Sequence, residues 1–417
     1  MLSAQDTASQ ISLSRSVENH FKTMSASASQ TLRHVFAPLS SNSPRPPPSK
    51  KSWSARIQKK SPRQALAAAL CGANAHFGGF GFGGAASEPP ELPPGLEDYT
   101  LERPLGKGMF GAVWLGRHSG MGLSRPVAVK VCALDDEEET SAADVAHEAE
   151  MLARLFSGAD VPASRLLPRL FAYQTDALRA ALVLQYFEGV ELREHASAAG
   201  GLLSEVEARR LTALLLEALA HAHRKGVAHG DVKPENVLVT VPDAASLMLV
   251  DFGSASAFDP EAAPRVAERG GTPNFMAPER HLAGGGGAQH FDGRASDVWS
   301  AGCVLFSLLR GRAPYDWEAA EAQADAEGWS RGWPEASGHA AALLRRVRDN
   351  DPFSCGEEED EEEDEPPPVS GSTERLVRLA TRFEPSERPT AARLREELLG
   401  AAVPESAFAR LALGAAS

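Results

Sequence analysis

The sequence predicts an α+β architecture in two unequal lobes, a small β-rich lobe with one main helix followed by a larger, mostly helical lobe. Three observations predict it. The chain has 417 residues, more than a single core usually holds, and 43% of them are hydrophobic, enough to pack an interior. Strand-like runs crowd into one early stretch, where Val113-Trp114-Leu115-Gly116, Val127-Ala128-Val129-Lys130-Val131 and Ala181 to Phe187 are apolar and β-rich in character. The longest apolar run, around Trp299 to Leu309, reads instead as a buried helix and falls well short of the ~18 residues that span a bilayer.

Before the first lobe comes a tail. Residues 1–95 are basic and rich in Ser, Pro and Gly: Met1 to Ser87 hold ten Lys/Arg against only Asp6 and Glu18, and fifteen serines precede Pro62. Such a composition cannot bury enough apolar surface to order itself. A serine-rich, acid-poor leader has the character of an organelle transit peptide, for a plastid or a mitochondrion; otherwise it is an ordinary cytoplasmic tail. Secretion is not expected, since Leu2-Ser3-Ala4-Gln5-Asp6 does not read as a charged-then-apolar signal. Serines and prolines interleave the basic residues without an aromatic stacking platform, so no nucleic-acid partner is expected.

The folded domain is expected over 96–400, with the lobes meeting near 187 and a tail over 401–417. It opens on Leu105-Gly106-Lys107-Gly108-Met109-Phe110-Gly111-Ala112-Val113, whose glycines let backbone N–H groups approach phosphate oxygens without Cβ obstruction. A dinucleotide-binding GxGxxG would lead into a helix. Here a strand, a loop and a second strand carrying Lys130 follow, which fits a hairpin over a nucleotide. An amphipathic segment then carries Glu148, with Leu152 one turn on and Glu150 about 200° round the helix. Further on, His229-Gly230-Asp231-Val232-Lys233-Pro234-Glu235-Asn236 and Asp251-Phe252-Gly253 space two acids and an amide for metal-assisted phosphoryl transfer, a reaction that needs mainly positioned charge.

Six motifs in this order resemble the eukaryotic-type protein kinase family, over roughly Glu97 to Leu399. The resemblance implies ATP and Mg²⁺ as cofactors and Ser/Thr residues of proteins as acceptors, because Lys233 two residues after the acid is the Ser/Thr pattern. It implies Asp231 as base, Lys233 on the γ-phosphate, Lys130 on the α- and β-phosphates with Glu148 as its partner, and Asn236 and Asp251 on metal. The implied nucleotide-binding set is Leu105, Gly106, Lys107, Gly108, Gly111, Val113, Ala128, Lys130, Gln185, Phe187, Glu191 and Leu238. The resemblance also implies Leu184 as gatekeeper, with the Phe187 backbone on adenine and Glu191 on ribose. Gly271 to Glu279 would seat substrate, Glu279 would pair with Arg388, and Asp297 would anchor the catalytic loop from a buried helix.

Singly, each residue has a plainer role: Asp231 or Asp251 as a loop acid, Lys130 as a solvated strand lysine, Glu148 as part of a charged helix face. Order and spacing carry the assignment. Gly230 departs from the family, standing where many members have an arginine that receives an activation-loop phosphate. Between Asp251 and Glu279 the only hydroxyl residues are Ser254, Ser256 and Thr272. Activity independent of activation-loop phosphorylation is therefore expected. Two alternatives stay open at this point: a nucleotide-binding scaffold without transfer, and a small-molecule phosphotransferase of related fold.

The formal net charge of −14 is unevenly spread, with nine consecutive acids from Glu357 to Glu365 inside an expected insertion over about 351–372. A self-repelling exposed loop is the simplest account, and attraction of a basic partner is a second. Arg265 and Arg269 are expected to be solvated. Cys71, Cys132, Cys303 and Cys355 show no metal or disulfide spacing and are expected to be free thiols.

Overall fold

The computed structural model describes residues 88–108, 111–120, 126–134, 141–157, 165–261, 265–267, 270–282, 290–317, 338–353 and 367–400. The chain divides into two units, Met1–Gly81 and Phe82–Ser417, and every described residue belongs to the second. Residues 1–87 of the expected tail, Met109 and Phe110, Arg269, the acidic run, Cys71 and Cys355 lie outside the described residues.

The fold class is the predicted one. Five antiparallel strands, β1 (Tyr99–Gly108), β2 (Gly111–His118), β3 (Pro126–Ala133), β4 (Leu170–Thr175) and β5 (Arg179–Gln185), form a sheet in the order β1-β2-β3-β5-β4. Alternation along β3 divides its side chains between two faces. Val127, Val129 and Val131 pack with Leu96, Ala181 and Val183 on one face, which leaves Ala128, Lys130 and Cys132 for the other.

The first helix, α1 (Ala142–Leu155), begins with a capping box in which Ser141 and Asp144 satisfy each other's backbone N–H groups, a device worth about 1 kcal/mol. Its buried stripe of Val145, Glu148, Ala149, Met151, Leu152 and Leu155 is apolar except at Glu148. A carboxylate in such a stripe is costly unless paired, which already marks Glu148 as special.

The second lobe is helical, as predicted. Short α2 (Leu192–Ala198) precedes α3 (Glu205–Arg224), a 20-residue helix whose N-cap Ser204 accepts from the Glu207 N–H. Small sheets interrupt the helices: β6 (Val190–Glu191), β8 (Val237–Val239) and β9 (Leu247–Leu249) form one, and β7 (Val227–Ala228) pairs with β10 (Ser256–Ala257). A further antiparallel ladder joins β11 (Arg265–Ala267) to β12 (His290–Asp292) on either side of the five-residue α4 (Pro278–Leu282).

Helix α5 (Gly293–Arg310) contains the apolar run and is buried along nearly its whole length; Asp292 caps its N-terminus by accepting from the Arg294 and Ala295 N–H groups. Together with α6 (Gly338–Arg348) it builds a core of Trp299, Cys303, Tyr315, Trp317, Leu343 and Val347. Helices α7 (Gly371–Ala380) and α8 (Ala391–Gly400) close the lobe against α5 and α3. Cys132 and Cys303 are buried thiols not joined in a disulfide. Among the described residues no helix is long and apolar enough to cross a membrane.

Candidate active site

Sheet register assembles the first part of the site. Gly106 pairs with Val113, Val113 with Lys130, and Ala128 with Leu184, while Val127 sits opposite Gln185. Leu105 falls at a register irregularity between Pro104 and Gly106, and Lys107 and Gly108 end β1 opposite Ala112 and Gly111. A Cβ added to Gly106 would meet no atom within 4 Å, so the strand offers open space where a phosphate chain would lie. Glu191 pairs in register with Leu238, bringing these two members of the predicted set together at the edge of the second lobe; Phe187 lies just past β5 and is half-buried.

Lys130 is the hub. Its ammonium lies 2.8 Å from a Glu148 carboxylate oxygen and 3.4 Å from Asp251 Oδ1. Burial alone would discharge a lysine, but the two carboxylates outweigh it and hold the ammonium well above the ordinary lysine range. Burial also pushes the Glu148 carboxyl up, partly countered by Lys130. For Asp251 the balance reverses: burial would raise it, yet Lys130, His229 and the Gly253 N–H together lower it. Asp251 adopts φ +64°, rare for a residue with a Cβ. Glu150, the alternative partner for Lys130, is half-exposed on the other side of α1 and pairs with Arg154 at 2.9 Å.

Around Asp231 the polar groups form a closed set. Thr272 donates its hydroxyl to Asp231 Oδ1 at 2.8 Å, Lys233 lies 2.9 Å from Oδ2, and Lys233 also donates to Thr272 at 2.7 Å. The Asn236 amide donates to the Asp231 carbonyl at 2.8 Å and to Oδ2 at 3.1 Å. One loop turn thus holds the acid, the lysine and the amide, and residue 272 arrives from the following segment.

One buried pin sets this loop, and a second ties α4 to the start of α5. Asp297 on α5 accepts from the backbone N–H groups of His229 at 2.8 Å and Gly230 at 2.9 Å, and its Oδ2 lies 2.8 Å from His223 Nε2 on α3. Desolvation would raise its pKa, but His223 and the Gly230 N–H outweigh burial and lower it. Arg388 clasps Glu279 with two bonds of 2.8 and 2.7 Å and also donates to the carbonyls of Ala295, Arg382 and Phe383.

Three participants were missed in the sequence reading. His223 serves Asp297, His147 Nε2 on α1 meets the Ala255 carbonyl at 2.7 Å, and Arg280 reaches the carbonyls of Gly230 and Gly270. The signal for Arg280 was its place directly after Ala277-Pro278-Glu279; nothing local marks the two histidines, whose partners are 74 and 108 residues away.

The donor set fits a nucleotide with a hard cation. Among the described residues no three His, Cys, Asp or Glu side chains gather as an all-protein metal site. Magnesium requires none, since it usually takes one or two carboxylates and completes its shell with phosphate and water.

Comparison with known proteins agrees with the two-lobed fold. The family model described as protein kinase domain matches residues 99–398. A CBL-interacting protein kinase 21 of Oryza sativa subsp. japonica is 32% identical over 259 residues, covering 61% of this chain and 46% of its own. The serine/threonine-protein kinase pkn2 of Myxococcus xanthus is 35% identical over 222 residues, 52% of this chain and 25% of its own. A CBL-interacting serine/threonine-protein kinase 24 of Arabidopsis thaliana is 33% identical over 217 residues, 52% and 45% respectively. The chain therefore spans less than half the length of these curated relatives. A match over most of the folded region, on a two-lobed scaffold with this site, places the chain in the protein kinase domain family.

Proposed function

We propose that this protein is an ATP- and Mg²⁺-dependent serine/threonine protein kinase. The observation that carries the reading is the convergence of Lys130, Glu148 and Asp251 in one ion cluster, alongside the closed set of Asp231, Lys233, Asn236 and Thr272. The relatives' printed names and Lys233 two residues after the acid support Ser/Thr acceptors.

Lys130, kept protonated by its two carboxylates, supplies positive charge to the α- and β-phosphates. Asp251 and the Asn236 amide oxygen would hold Mg²⁺, which when bound neutralises phosphate charge and orients the γ-phosphoryl group. The Asn236 nitrogen is already committed to Asp231, so its oxygen is the atom left for a cation. Asp231 accepts the proton of the substrate hydroxyl as that oxygen bonds to the γ-phosphorus and the β–γ bridging bond breaks, leaving ADP. Lys233 carries charge beside that transfer. Leu105, Gly106, Lys107, Gly108, Gly111, Val113, Ala128, Gln185, Phe187, Glu191 and Leu238 would contact the nucleotide.

Gly230 offers no side chain to an activation-loop phosphate, and activity is expected without one. The experiment is transfer of labelled γ-phosphate from Mg·ATP by the phosphatase-treated full chain to a generic basic protein, beside Asp231→Asn. Label on Ser/Thr only with the intact acid supports the reading. Nucleotide binding without transfer overturns it.

A further inference from the structure

A buried guanidinium, absent from the catalytic assignments above, touches both segments that meet at Asp231. Arg280, on α4, is 7% exposed. It donates from Nη1 to the Gly230 carbonyl at 2.7 Å and from Nη2 to the Gly270 carbonyl. Gly230 directly precedes Asp231, and Gly270 lies two residues before Thr272, which donates to Asp231. The guanidinium also stands over the Phe291 ring, 5.2 Å from its centroid, and Phe291 is in β12, paired with Val266 of β11. Gly271, at φ +145°, presses against this group: a Cβ there would come within 2.9 Å of Nη2 and 3.0 Å of the Gly230 carbonyl.

We infer that Arg280 is a positioning residue that ties the activation segment to the catalytic loop through a fixed side-chain charge, so that Thr272 is seated on Asp231 without a phosphate in the segment. The physical basis is the planar fork of arginine, which can serve two carbonyls from separate segments at once, whereas lysine offers a single point charge. Gly230 fits the same arrangement. At φ +79°, with a virtual Cβ 2.5 Å from the Ser254 carbonyl, position 230 excludes a side chain, so the tie comes from α4 instead. Val266, buried beneath the β11–β12 ladder with Ala228, Phe258 and Phe291, holds the segment at a second point.

The inference rests on the kinase reading for its kinetic arm but not for its structural one. The phosphatase-treated full chain is compared with Arg280→Ala and Arg280→Lys by steady-state transfer to a basic protein and by amide hydrogen exchange over residues 270–276. For Arg280→Ala, KM for the protein substrate is expected to rise about tenfold with KM for ATP nearly unchanged, and exchange at Gly271 and Thr272 to accelerate. Added guanidinium at non-denaturing concentration should restore part of the loss in Arg280→Ala and nothing in the unsubstituted protein. Arg280→Lys should fall between them, and it decides the matter if the alanine variant does not fold. Unchanged exchange and substrate KM in the variant that folds, or an equal loss of ATP affinity, overturns the inference. Absence of transfer by the unsubstituted protein would refute the kinase reading alone, leaving exchange to judge Arg280.

Discussion

Asp297→Ala tests the claim that the catalytic loop is pinned from α5. Asp297 is 1% exposed and accepts two backbone N–H bonds, from His229 and Gly230, besides facing His223. Alanine strands both N–H groups where water cannot replace the carboxylate. Each stranded donor costs about 1–3 kcal/mol, so the loss for the pair is about 2–6 kcal/mol. Against a typical total stability of about 5–15 kcal/mol, that is severe. Asp297→Asn retains one oxygen acceptor and presents an NH₂ to the other donor, so it should lose roughly half as much. Urea unfolding of the full chain, followed by tryptophan fluorescence with Trp299 buried in the same lobe, reads both values from the transition midpoint at constant slope. Transfer activity should fall further than stability predicts, because Asp231 follows Gly230 directly. A loss below about 1 kcal/mol for the alanine variant would refute the argument, as would equal losses for alanine and asparagine.

Other expectations follow from the same contacts. Asp297 has a lowered folded pKa, so its contribution is fully present above the ordinary aspartate value of about 3.9 and disappears as pH falls through the folded value; acid titration of the midpoint should lose this component in Asp297→Asn. Arg388→Ala leaves the Glu279 carboxylate without its bidentate partner and should cost about 3–5 kcal/mol, with Glu279→Ala/Arg388→Ala losing less than the sum of the single variants in a double-mutant cycle. Gly230→Ala should destabilise by about 1–2 kcal/mol or more from its left-handed φ and the Ser254 contact, and Gly230→Arg should not confer phosphorylation dependence; thermal melts and activity before and after phosphatase check these. Lys130→Met should abolish transfer with the sheet intact by circular dichroism, and near-normal turnover would refute its assigned role.

Sequence alone picked out the strands around Val113, Val129 and Val183, the buried helix at Trp299 and the candidate site residues, because those signals are local. Period-two alternation marks β3, and short motifs keep Asp231, Lys233 and Asn236 within one turn of chain. The closing of these pieces into a site was a tertiary matter. Glu148 reaches Lys130 only because α1 buries that one carboxylate in its apolar stripe, while Glu150, two residues on, remains at the surface. His223 and His147 gave no local sign of their roles, since their partners lie on other elements. Gly230 illustrates the division most directly. Its identity announced a missing arginine, but only packing revealed that Ser254 leaves no space for a side chain and that Arg280 reaches the Gly230 carbonyl from α4. A short-range pattern records which groups are available, whereas desolvation and close packing decide which of them meet and with what charge.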